Sequence, residues 1–181
     1  MKATGIVRKI DDLGRVVIPK EIRHTLHIRE GDPLEIFLNE EKCVIFRKYS
    51  PVGDMVEFAE QYAKVLSKTI DQSVLICDND CVIAVGGVSK KECLDRKLSA
   101  KFESYMQLGQ QYISVNACHD LFPVEGVNCN ASVVCPIITS GNKVNGAVII
   151  LFNKNNTPPT KVEVKLAQVA ASVLGEQLEG Y

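Results

Sequence analysis

Apolar residues alternate with polar ones in short runs over roughly the first fifty positions, then recur at spacings of three and four in longer stretches. The change of period divides the chain, and the breaker cluster Ser50-Pro51-Val52-Gly53 marks the place. Residues 1–50 are read as one domain, 51–55 as a linker and 56–181 as a second domain. In the first, alternation predicts strands at Thr4–Ile10 and Arg15–Ile18 joined by a turn at Asp11-Asp12-Leu13-Gly14. Pro19 fits the first position of a helix, where its missing N–H is no loss, and Gly31 fits the stop. Leu34–Leu38 and Cys43–Arg47 alternate around the polar turn Asn39-Glu40-Glu41-Lys42, a hairpin. If Ile10 pairs with Arg15, Arg8 and Arg15 share one strand face, a spacing suited to a duplex backbone. So short a segment cannot bury an adequate core alone, and interleaving with a second copy into an obligate homodimer is expected.

Beyond the boundary, three helix starts share one device, a capping residue followed three places later by Glu: Asp54 with Glu57, Ser89 with Glu92, Thr160 with Glu163. The helices are expected to run to Ile70, Gln107 and Glu179. Between them the pattern predicts strands at Ser73–Asp78, Cys81–Gly86, Tyr112–Ala117, Ala131–Thr139 and Val144–Phe152. The order is αββαβββα, a mixed α/β (α+β) domain with an antiparallel sheet and flanking helices. The first helix carries Val56, Ala59, Ala63, Leu66 and Ile70, beside a second stripe of Met55, Phe58, Tyr62 and Val65. The last carries Val162, Leu166, Val169, Ala170, Val173 and Leu174. Two stripes exceed what one sheet face requires, which leaves one for a neighbouring subunit and a homotetramer, or both for the domain's own packing.

Composition narrows the picture. The chain has 181 residues, 46% hydrophobic and 24% charged, enough for a core. The longest apolar run, Ala147–Phe152, is far too short for a membrane helix, and the charged start MKATGIVRKIDD lacks a signal-peptide centre, so a cytoplasmic protein is expected. The seven cysteines sit mostly in apolar runs, as reduced buried thiols do. The net charge of -1 hides a split. Met1–Arg29 holds seven Lys or Arg against three Asp or Glu, whereas Pro51–Tyr181 holds eleven against fourteen. Positive charge is concentrated where the opening motif lies.

That motif, TGIVRKIDDLGRVVIPKEIRHTL, resembles the AbrB-type DNA-binding domain of bacterial transition-state regulators. With the αββαβββα segment after it, the whole chain resembles AbrB-family transcriptional regulators of spore-forming bacteria that carry a C-terminal GAF-like sensor domain. The resemblance implies an N-terminal swapped-hairpin β-barrel dimer, binding to promoter DNA as activator or repressor of sporulation genes, and location on the nucleoid of the forespore. It implies DNA contacts at Arg8, Lys9, Arg15 and Arg23. The next position, commonly basic in relatives, is His24, whose imidazole is mostly uncharged at neutral pH. Lys20 and Arg29 are read as solvated surface, and Asp11 and Asp12 as turn formers. With no recognition helix in view, the shape of A/T-rich DNA is expected to supply much of the discrimination.

Two other chemistries are open to the second domain. Cys77 with Cys81, and Cys118-His119 with Cys129 and Cys135, could hold zinc, but no paired CxxC motif supports them and no metal is expected. A thiol redox enzyme of the methionine sulfoxide reductase kind could use Cys118 and Cys129, yet Asp120 and Glu125 make that stretch acidic where a reactive thiol needs positive charge. No phosphate-binding loop is present, and neither catalysis nor a cofactor is expected. The long stretch Ala117–Asn130 is where a small ligand could enter, and nothing identifies one. An antitoxin-like protein would carry a disordered tail where this chain is patterned to fold.

Overall fold

The computed structural model describes residues 5–26, 28–40, 42–49, 55–114, 121–153, 155 and 157–179. The chain forms two compact units, Met1–Tyr49 and Ser50–Tyr181. Asp54, Pro51, Cys118 and His119, each given a role above, lie outside the described residues.

In the first unit neither apolar arm around the opening turn is a strand among the described residues, where strands are expected at Thr4–Ile10 and Arg15–Ile18. A strand is defined by a ladder of hydrogen bonds to a neighbour, and none is assigned to these arms among the described residues. The turn itself is closed, with Asp11 N–H donating to the Arg15 carbonyl at 3.1 Å and Gly14 N–H to the Asp11 carbonyl at 3.0 Å. Asp11 therefore faces Arg15, not Ile10. Helix α1 (Lys20–Thr25) follows, with Pro19 extended at its N-cap (φ −57°, ψ 149°), one place ahead of the expected position. It ends six residues short of Gly31, where Leu26 N–H bonds back to the Ile22 carbonyl at 2.9 Å. Gly31 serves the next turn, at φ +86°.

Strands β1 (Leu34–Leu38) and β2 (Val44–Lys48) form the expected hairpin, Leu34 opposite Lys48 and Leu38 opposite Val44. No described residue of this unit is buried. Val7 is 86% exposed, Leu38 79% and Val17 72%, with Ile10, Leu13 and Ile36 also open.

The second unit is built on an antiparallel five-stranded sheet. Its strands β3 (Val74–Cys77), β4 (Val82–Gly86), β5 (Tyr112–Ile113), β6 (Ala131–Ile138) and β7 (Val144–Leu151) lie in the order β4-β3-β7-β6-β5. Alternation sorts each strand between two cores. Val74, Ile76, Val148 and Ile150 meet helices α2 (Val56–Ile70) and α5 (Lys161–Glu179). Leu75, Cys77, Ala147 and Ile149 meet Leu98, Phe102, Met106, Leu121 and Val124 on the opposite face. Glycine permits the closest approach of helix to sheet: a Cβ on Gly86 would stand 2.2 Å from the Ala63 carbonyl oxygen of α2.

The capping pair of α5 forms as expected, with Glu163 N–H donating to Thr160 Oγ1 at 3.3 Å and Thr160 N–H donating to the Glu163 carboxylate. The helix expected from Ser89 to Gln107 is broken into α3 (Lys90–Cys93) and α4 (Ala100–Met106). Residues between them satisfy the outer edge of β4 instead. Asp95 N–H donates to the Val82 carbonyl at 2.9 Å and Val82 N–H to the Arg96 carbonyl at 3.0 Å. Asp95 turns the chain at φ +59°. Covering an open strand edge outweighs local helix propensity here. Ser99, not Ser89, caps the second piece, accepting from Phe102 N–H at 3.2 Å.

Candidate nucleic-acid interface

The basic residues singled out in the first unit lie on three pieces of backbone. Arg8 and Lys9 are exposed on the arm before the turn, Arg15 begins the arm after it, and Arg23 and His24 occupy the last turn of α1. Among the described residues no hydrogen bond joins these five side chains to one another. Arg8 reaches only the adjacent Val7 carbonyl, at 3.4 Å.

Arg15 is held differently. Its Nε donates to Asp11 Oδ2 at 2.8 Å, while Asp11 Oδ1 accepts from the backbone N–H of Arg15 at 2.8 Å and of Leu13 at 3.1 Å. The Arg15 backbone N–H and guanidinium hold the Asp11 carboxyl below its ordinary value. Asp11 is thus a turn former, as its sequence position suggests, and also the partner of a basic residue. The run DDLGR carried the signal: an Asp four residues before an Arg across a glycine turn.

Among the described residues of the second unit, burial raises the pKa of the thiols that the sequence offers as candidates. Burial pushes the Cys77 thiol up, and Cys77 Sγ contacts Met106 Sδ at 3.8 Å. Burial, with the Asp78 charge, pushes Cys81 to about 12. Burial likewise raises Cys129 to about 12 and Cys135 to about 11. Protonated thiols are poor nucleophiles and poor metal ligands. Among the described residues no three His, Cys, Asp or Glu side chains gather as a metal site.

The described end of the expected ligand loop is packed, with Leu121 and Val124 buried on the sheet. A polar cleft of about 500 Å³ opens elsewhere, lined by residues that include Ser67, Asp71, Gln72 and Asn153.

The helices resolve the question of their two stripes. Ala59, Ala63 and Leu66 of α2 and Ala167, Ala170 and Leu174 of α5 are buried in the unit's own core. Val56 and Val65 of α2 and Val162 and Val169 of α5 remain exposed. Leu66 and Leu174 are core residues; of the exposed valines, Val56 and Val65 lie on opposite sides of α2, whereas Val162 and Val169 share one side of α5.

Comparison with known proteins decides the family. Residues 54–179 match the family model described as stage V sporulation protein T C-terminal, transcription factor. The chain is also 48% identical over 181 residues to stage V sporulation protein T of Bacillus subtilis, covering 99% of each. The chain belongs to the stage V sporulation protein T family. Its N-terminal part is 63% identical over 51 residues to the B. subtilis transition state regulatory protein AbrB, covering 28% of this chain and 52% of that protein. Residues 7–58 also match the family model of the bacterial antitoxin MazE. The second unit has the GAF fold. It superposes on the GAF domain of an Acinetobacter phosphoenolpyruvate-protein phosphotransferase with a TM-score of 0.57 at 13% identity, over 71% of this chain and 89% of that one. As in its family, the chain is a transcription factor with an AbrB-type DNA-binding domain followed by a GAF-like domain.

Proposed function

We propose that the protein regulates sporulation genes by binding promoter DNA, as activator or repressor, through pairs of its N-terminal units, with Arg8, Lys9, Arg15, Arg23 and His24 at the contact. The observation that carries this reading is an apolar surface without a core: the N-terminal unit buries none of its described residues while Val7, Val17 and Leu38 stand open beside its basic positions. A second copy would cover that surface with the same residues, interleaving the arms and bringing two sets of cations onto one duplex. The domains are read as residues 1–50 and 56–181 around a short linker. The second serves as a ligand-sensing or assembly module, not a catalyst, joining two dimers into a tetramer through exposed Val65 of α2 and Val169 of α5. More basic heads on one duplex then raise apparent affinity through effective concentration. The protein acts where DNA is, in the cytoplasm.

A fluorescence-anisotropy titration of the full chain with an A/T-rich promoter duplex and a random duplex tests the reading. Binding to both, tighter for the promoter, is expected. No binding to either, or identical affinities, contradicts it.

A further inference from the structure

We propose that Asp11 is a positioning residue for DNA recognition: it holds Arg15 by Nε and leaves the two terminal amino groups of the guanidinium to fork onto a base edge or a phosphate. The proposal rests on Arg15 being a DNA contact. A guanidinium carries five N–H donors in a rigid plane, and the Nε edge and the Nη edge can serve different partners at once. Among the described residues Arg15 has one side-chain partner, Asp11, engaged through Nε at 2.8 Å. The side chain is otherwise 69% exposed, so the fork stands in solvent.

The two carboxylate oxygens divide the work. Oδ1 closes the turn on the backbone of Leu13 and Arg15, and Oδ2 takes the guanidinium. An exposed pair of this kind contributes little to stability. Its consequence is a rotamer already chosen, which removes part of the ordering cost when the arginine docks. Arg8, tied only to its neighbour's carbonyl, has no such anchor. The opposite effect is also physical, because a carboxylate beside the contact repels phosphate. The two effects predict opposite signs for the same substitution.

The test compares the full chain with Asp11→Asn, Arg15→Ala and the double variant, titrated by anisotropy against one A/T-rich duplex. Asn keeps an Oδ1 that can accept both turn bonds but loses the anionic Oδ2 that holds Arg15 Nε, so the melting temperature should hold. Affinity should fall about threefold to tenfold, the range of one side chain's ordering cost. Arg15→Ala should then cost less in the Asn background than in the wild type, because Asp11 acts through Arg15. Unchanged or tighter binding by Asp11→Asn, or costs that simply add, overturns the proposal and leaves the DNA-binding reading standing. A wild-type chain that binds no duplex overturns both. Should Asp11→Asn not fold, NMR of the wild type labelled at arginine Nε decides. Arg15 Nε–H is expected to exchange more slowly than Arg8 Nε–H, free and on DNA, and equal rates in the complex overturn the proposal.

Discussion

If the proposed tetramer forms through these helices, introducing Asp at both Val65 and Val169 should dissociate it while leaving the second unit folded. Val65 is 64% exposed on α2 and Val169 52% exposed on α5, so neither supports its own core. Fully burying a valine contributes about 1.5–3 kcal/mol, so the exposed fraction leaves about 1–2 kcal/mol for each to gain on docking. Four such side chains across a pair of copies contribute roughly 4–7 kcal/mol. Their loss, before any repulsion between the new carboxylates, weakens association by about a thousandfold or more. Sedimentation velocity at micromolar concentration should show the proposed tetramer for the unaltered chain and a smaller species for the variant, and a thermal melt should move by only a few degrees. Affinity for long duplexes should fall more than for single sites. An unchanged sedimentation coefficient with a folded domain refutes the reasoning, as does equal loss on short and long duplexes after dissociation.

Leu66→Asp, by contrast, buries a charge in the core and should unfold the second unit, seen as loss of a cooperative melt. Gly86→Ala places a Cβ against the Ala63 backbone of α2 and should destabilise by about 1–3 kcal/mol, read as a lowered denaturation midpoint. Because the Cys81 and Cys129 thiols titrate near 12, iodoacetamide labelling of each should rise about tenfold per pH unit from 7 to 10. A plateau near pH 8.5 would show that burial does not hold them. Arg8→Ala or Arg15→Ala should weaken binding by about 1–3 kcal/mol where the side chain meets a base edge, and Lys9→Ala should act evenly across sequences. Loss of folding by circular dichroism in Arg15→Ala would make that residue structural.

Much of this architecture was legible because the elements are locally consistent. The hairpin of Leu34–Leu38 and Val44–Lys48 alternates cleanly around a polar turn, and the apolar runs of β3, β4, β6 and β7 stand out because both faces of that sheet are covered. What escaped depends on partners distant in sequence. Ser89 does start a helix, but α3 stops at Cys93 because Asp95 and Arg96 are claimed by the backbone of Val82 at an open edge that no periodicity displays. Leu66 and Leu174 read as candidate interface positions, because helical spacing alone does not tell which of two stripes meets the sheet. Thr4–Ile10 and Arg15–Ile18 read as strands from alternation alone, and among the described residues neither forms one. For the basic residues, charge and motif spacing pointed to the surface, whereas the Asp11 grip on Arg15 required the geometry of the turn.

The salt dependence of duplex affinity tests the central claim most directly. Arg8, Lys9, Arg15 and Arg23 in two copies present up to about eight cations, so log Kd against log salt should have a slope between about 4 and 7, at about 0.9 per phosphate neutralised. Anisotropy titrations of the full chain from low to moderate salt give that slope. A value in this range, reduced by Arg15→Ala, is the result expected. Affinity that stays flat across the same salts contradicts DNA recognition by paired basic N-terminal units.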